Sequence, residues 1–165
     1  MRIPYLYVEP VATLIHALKF RRRLAVASVL GGLLAAHLES PALEPPQYIV
    51  PVPLHPKRQR ERGFNQSMEI ARPLSARLDV PIAPRLARRT RPTAAQSSLE
   101  GRDSRRRNVR GAFCAEIRPT EAVHHVAMVD DVVTTGATVM ALARALKRAG
   151  VARIDLWCVA RAGDP

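Results

Sequence analysis

Residues 126–138, reading VAMVDDVVTTGAT, leave this chain few folds other than a parallel sheet with helices laid on it. Val126, Ala127, Met128 and Val129 form a short apolar run closed by turn chemistry, which suits a strand buried on both faces. Asp130 and Asp131 stand at its carboxyl end, and Thr134, Thr135, Gly136, Ala137 and Thr138 follow as a small hydroxyl-rich turn. Val139, Leu142, Ala143 and Leu146 then recur at helical spacing, with Lys147 and Arg148 in the last turn and Gly150 as the stop. The turn is therefore expected to be a helix amino terminus.

Unpaired amides at a helix start, with the positive end of the helix dipole, favour an anion by about 0.3–1 kcal/mol, rising toward about 2 when partly buried. Threonine hydroxyls add donors, and Gly136 lets the backbone come close to a ligand. Asp130 and Asp131 can accept hydrogen bonds from hydroxyls or hold a hydrated magnesium ion. A polyol carrying a phosphate satisfies both halves, and ribose 5-phosphate is the simplest candidate. No glycine-lysine pair follows, which excludes a Walker loop.

The segment resembles the phosphoribosyl pyrophosphate (PRPP) signature of type I phosphoribosyltransferases: an apolar strand, two acids, two spacers, two hydroxyl residues, glycine, any residue and a last hydroxyl residue. The resemblance implies that Asp130 and Asp131 contact the ribose 2- and 3-hydroxyls, with magnesium bound alongside PRPP. It also implies that Thr134, Thr135, Gly136, Ala137 and Thr138 wrap the 5-phosphate. A second stretch, PVPLHPKRQRERGFNQ at 51–66, resembles the hallmark segment of the ComF (competence protein F) family, whose members carry a phosphoribosyltransferase-like domain. By that likeness the loop after the preceding strand binds pyrophosphate through Leu54, His55, Lys57 and Arg58. A strained non-proline cis peptide is expected near Leu54 and His55. Taken alone, the basic run 57–62 reads equally as a solvated turn.

The implied architecture is α/β: a type I phosphoribosyltransferase fold, mostly parallel sheet flanked by helices, with a small N-terminal helical hood and a long flexible basic loop. Residues 1–46 are expected to form the helical segment and 47–165 the core of one compact unit. Within this frame 1–10 reads as irregular, and Leu14, Ile15 and Leu18 mark a short amphipathic helix. Residues 24–36 carry no charge and follow three arginines, but the run is too internal and too short for a signal peptide or a membrane span, and reads as a second helix. Strands are expected over 47–52, 112–115, 124–129 and 153–159, with an edge piece in 80–86 where Pro81 and Pro84 forbid a central place. Asn65 or Ser67 should cap the helix between, which Pro73 kinks or shortens. His124, His125 and Trp157 read as structural.

Charge is the unusual quantity, with 26 basic against 14 acidic side chains. Only Lys19, Lys57 and Lys147 among the basic residues are not arginine, and the planar guanidinium prefers phosphate. Residues 85–110 hold nine arginines and few apolar residues, so a mobile arm is expected rather than core. Arg105 is expected to deliver charge to pyrophosphate, as the flexible loop of the resembled enzymes does. Arg88, Arg89, Arg106 and Arg107 are candidates for contacting nucleic acid. Aromatics are 4% of the chain, so such contact would be to backbone phosphates rather than by stacking on bases. The third alternative is a plain basic arm.

Cys114 and Cys158 are not ligand-spaced and read as small buried hydrophobes in a reducing compartment. ComF proteins commonly carry a cysteine-rich zinc module that these 165 residues do not show, and no zinc is expected in them. Two functions stay in view. One is a cytoplasmic PRPP-binding phosphoribosyltransferase-like protein with an unknown acceptor. The other, implied by the ComF resemblance, is a nonenzymatic accessory of DNA uptake that contacts single-stranded DNA or a competence helicase and its DNA-processing partners. No membrane contact is expected, and a homodimer is left open.

Overall fold

A computed structural model describes residues 1–39, 44–91, 111–117 and 122–163. Its centre is a parallel sheet of β1 (Tyr5–Leu6), β2 (Tyr48–Pro51), β5 (His125–Val133) and β6 (Arg153–Arg161) in the order β1-β6-β5-β2. Two more strands, β3 (Ala87–Arg89) and β4 (Phe113–Ala115), form a separate antiparallel pair. Helices α1 (Val11–Arg21), α2 (Ala25–Leu38), α3 (Pro56–Arg62), α4 (Gln66–Leu78) and α5 (Ala137–Arg148) complete the described elements.

Period-2 alternation along β5 divides the core in two. Ala127 and Val129 join Ile15, Leu30, Leu34, Ile70 and Leu74 from α1, α2 and α4 on one face of the sheet. Val126 and Met128 join Leu142 and Leu146 of α5 on the other. Val126, Ala127 and Val129 are fully buried, so the uninterrupted apolar run is that of a strand covered on both sides. The result is the α/β, mostly parallel sheet with flanking helices that the motif implied.

Three boundaries differ from expectation. β5 does not stop before the acids: Val132 and Val133 continue the ladder opposite Ala160 and Arg161, because β-branched residues keep pairing while a partner strand is present. Residues 1–10 are not wholly irregular, since Tyr5 and Leu6 pair in parallel with Ala160 and Arg161 and close one sheet edge. The basic run 57–62 is the short helix α3, started by Pro56 after the His55 cap and stopped by Gly63 at φ 81°.

The Leu54–His55 peptide is trans, since the one cis bond among the described residues is Glu9–Pro10. His55 takes the extended conformation favoured before proline, and its Nδ1 accepts from the Lys57 backbone amide at 3.2 Å. Asn65 caps α4 by accepting from Ser67 N, and the helix runs through Pro73. Ile82 bridges to Ile49 beside β2, which is the edge contribution expected of this proline-bounded segment. Trp157 is core, and His125 is buried with Nε2 2.8 Å from Asp155. Cys158 is buried, and burial pushes its thiol well above the usual range. Cys114 is only partly buried, contrary to expectation, because it lies in a two-stranded ribbon with one open face.

Pro73 serves packing. A β-carbon on Gly31 of α2 would stand 2.3 Å from Pro73 Cγ and 2.7 Å from the Ile70 carbonyl oxygen of α4. Gly31→Ala is therefore expected to push these helices apart and cost about 1–3 kcal/mol, read as a lower urea midpoint. An unchanged midpoint would contradict this packing.

Candidate functional site

The carboxyl ends of β2 and β5 open into a cleft of about 340 Å³. Asp130 and Asp131 line it on one side, Arg58, Arg62 and Arg89 on another, and Tyr7, Lys19 and Phe20 reach it from the N-terminal segment. Ligands sit outside the carboxyl ends of strands in open α/β sheets. A smaller recess of about 30 Å³ adjoins, lined by Asp130, Thr134, Gly136, Ala137 and Thr138.

Alternation sends Asp131 toward the α1 side, as it does Ala127 and Val129, and there Lys19 Nζ lies 2.6 Å from Asp131 Oδ2. Asp131 is 3% exposed, and its Oδ1 accepts from Val132 N at 2.9 Å. Oδ2 has no aligned hydrogen-bond donor, so the lysine contact is one of charge rather than a directed hydrogen bond. Burial alone would lower the Lys19 pKa, but the Asp131 charge and contact, helped by Asp130, raise it on balance.

Asp130 Oδ1 accepts from Ser67 Oγ at 3.0 Å and from Asp131 N at 3.0 Å. Burial, followed by the Asp131 charge, pushes its carboxyl up to about 7 against the pull of Lys19 and the hydrogen bonds. The folded state thus holds a proton on Asp130 that the unfolded chain releases near pH 4. Its contribution to stability is full below that pH and is lost as pH rises through about 7. Asp130→Asn is expected to flatten this part of the stability profile, raising the melting temperature more at pH 8 than at pH 5. A profile identical to wild type would contradict it.

The hydroxyl turn is built as the sequence suggested. Gly136 caps α5 at φ 73°, a left-handed conformation that costs other residues roughly 1–2 kcal/mol, and Thr135 Oγ1 accepts from Ala137 N at 3.4 Å. Thr134 and Thr138 face the cleft. The basic side is only partly as expected. Arg58 and Leu54 line the cleft, whereas His55 is spent capping α3, and Lys57 is not in the lining. Helical spacing explains the selection, since Arg62 lies one turn from Arg58 on the same face of α3.

Arg89, grouped by sequence with nucleic-acid candidates, is instead a cleft residue, with its guanidinium 5.2 Å from the Phe113 ring centre. Arg88, the other, is exposed and paired with Glu116 across the β3–β4 ribbon. Residues 87–89 being strand, the expected arm does not begin at Arg85. Arg105, Arg106, Arg107 and most of the arm lie outside the described residues. Burial lowers the Arg62 and Arg89 pKa values, and the nearby Arg58 charge pushes in the same direction while Asp131 and Asp130 oppose it. Guanidiniums crowded in this way form a receptor for a polyanion.

Sequence reading missed Lys19, Arg62, Gln66 and Ser67 as cleft residues. Lys19 had one signal, a rare lysine in a chain that otherwise uses arginine, at the polar end of an amphipathic helix. No group of three or more His, Cys, Asp or Glu that could cage a metal occurs among the described residues. Two carboxylates, one with an unaligned buried oxygen, suit a hydrated magnesium ion completed by ligand phosphates instead. No helix among the described residues is long and apolar enough to cross a membrane.

An acid-bearing parallel strand running into a hydroxyl turn and helix start, with a basic face opposite, defines a phosphoribosyltransferase-type domain. Residues 65–165 match the phosphoribosyl transferase domain family. The DNA utilization protein YhgH of Escherichia coli K12 is 42% identical over 159 residues, covering 94% of this chain and 69% of that protein. Competence protein F of Haemophilus influenzae is 35% identical over 161 residues, covering 94% and 70%. The chain belongs to the phosphoribosyl transferase domain family and, within it, to the ComF family.

Proposed function

We propose that this protein binds PRPP, with magnesium, in the cleft between the acidic pair and the arginines, and that it transfers the phosphoribosyl group or senses the ligand. The observation that supports this most is the meeting, in one cleft, of Asp130 and Asp131 with the Thr134 to Thr138 turn on one side and Arg58, Arg62 and Arg89 on the other. The turn anchors the 5-phosphate at the start of α5. The acids accept from the ribose diol, with Lys19 holding Asp131 in place. Magnesium, when bound, neutralises charge on the pyrophosphate. The arginines stabilise charge that gathers on departing pyrophosphate, in a site whose dipoles need not reorganise. Hood residues Tyr7 and Phe20 border the space left for an acceptor.

A second reading draws support from the names of the relatives, DNA utilization protein and competence protein F. In it the chain assists DNA uptake, and its net charge of +12 contacts single-stranded DNA. The two readings can coexist. Calorimetric titration with PRPP and magnesium tests the first, with saturable binding expected and its absence contradicting it. Single-stranded DNA titrated at two salt concentrations tests the second, which requires affinity that falls steeply with salt. Salt-independent or absent binding would contradict it.

A further inference from the structure

Gln66 is a side chain whose position in the cleft the reading so far leaves unused. It is the first residue of α4, is 5% exposed and lines the cleft beside Ser67 and Asp130. Its Oε1 is buried with no hydrogen-bond partner. Buried carboxamides are nearly always paired, and one that is not stands ready for a group that arrives later. The neighbours make the contrast plain: Asn65 is satisfied twice, through Ser67 N and the Val52 carbonyl, and Ser67 donates to Asp130.

We infer that Gln66 is a ligand-binding residue whose carboxamide hydrogen-bonds a diphosphate oxygen at the arginine end of the cleft. Two placements select that end. Gln66 is absent from the small recess at the Thr134–Thr138 turn, where a monophosphate would sit, and present in the larger cleft with Arg58, Arg62 and Arg89. Asn65 Nδ2 donates to the Val52 carbonyl at 3.1 Å, which ties the start of α4 to the strand end leading into Leu54 and Arg58. Diphosphate oxygens only accept, so the amide NH₂ must be the contacting group, and half a turn of the amide presents it. This deepens the PRPP reading and rests on it.

The test uses three proteins, wild type, Gln66→Met and Gln66→Glu, each titrated with inorganic pyrophosphate plus magnesium and, separately, with ribose 5-phosphate, and each melted without ligand. Methionine keeps the length and removes both polar atoms. It should weaken pyrophosphate binding about tenfold, the range of one hydrogen bond to a charged group, and leave ribose 5-phosphate within about twofold. Its melting temperature should hold or rise, because an unpaired buried oxygen is gone. Glutamate sets a negative charge against the anion and should weaken pyrophosphate further than methionine does. A methionine variant that melts lower yet binds pyrophosphate as wild type does would make Gln66 structural and overturn the inference alone. A wild type that binds neither probe would overturn both the inference and the PRPP reading.

Discussion

Replacing Lys19 with methionine is expected to lower the melting temperature by about 6–12 °C, the largest stability effect of any single change in the site. The substitution leaves Asp131, whose side chain is 5% exposed, with a buried charge and no counter-charge at 2.6 Å. Breaking a buried pair by removing one partner costs about 3–5 kcal/mol, and the 19% exposure of Lys19 puts this pair at the low end. About 3 kcal/mol converts at roughly 2–4 °C per kcal/mol for a chain of this size. Adding Asp131→Asn should restore most of the loss, since the stranded charge is then gone. A single variant that melts within a degree of wild type would show that the contact contributes nothing, and α1 would lose its role as a strut under the acidic pair.

Asp130→Asn with Asp131→Asn should weaken PRPP binding by at least about a hundredfold while the fold survives. Each carboxylate offers a charged acceptor to the ribose diol, worth about 1.5–3 kcal/mol, and the pair also forms the protein's share of a magnesium site. The amides are isosteric, and at Asp130 the exchange removes a carboxyl already pushed up to about 7, so ligand loss and unfolding separate cleanly. Far-ultraviolet circular dichroism and a melt establish the fold, and calorimetry reads the affinity. If the double variant binds PRPP as tightly as wild type, the acids do not serve the ligand.

The portions of this site legible in sequence were those held by one continuous segment. Strand, acids, turn and helix are local in 126–148, and each carries its own signature, so all appeared in order. The length of β5 did not, because Val132 and Val133 extend only where β6 offers Ala160 and Arg161. Tyr5 and Leu6 are likewise a strand by virtue of their partner, in a stretch with no alternation to announce it. The basic run 57–62 was visible as charge, but the fact that it is helical decides which cations face the ligand. Arg62 gains a place through that geometry and Lys57 loses one. Lys19 meets Asp131 across 112 positions of chain, from a helix outside the 65–165 span that matches the family, and no local pattern encodes such a meeting.

The most direct measurement is a crystal of the protein soaked with ribose 5-phosphate. The phosphate is predicted to lie against the backbone amides at Gly136 to Thr138, with the 2- and 3-hydroxyls within hydrogen-bonding distance of Asp130 and Asp131. Density for the sugar at any other place, with that turn closed by protein side chains, would contradict the account.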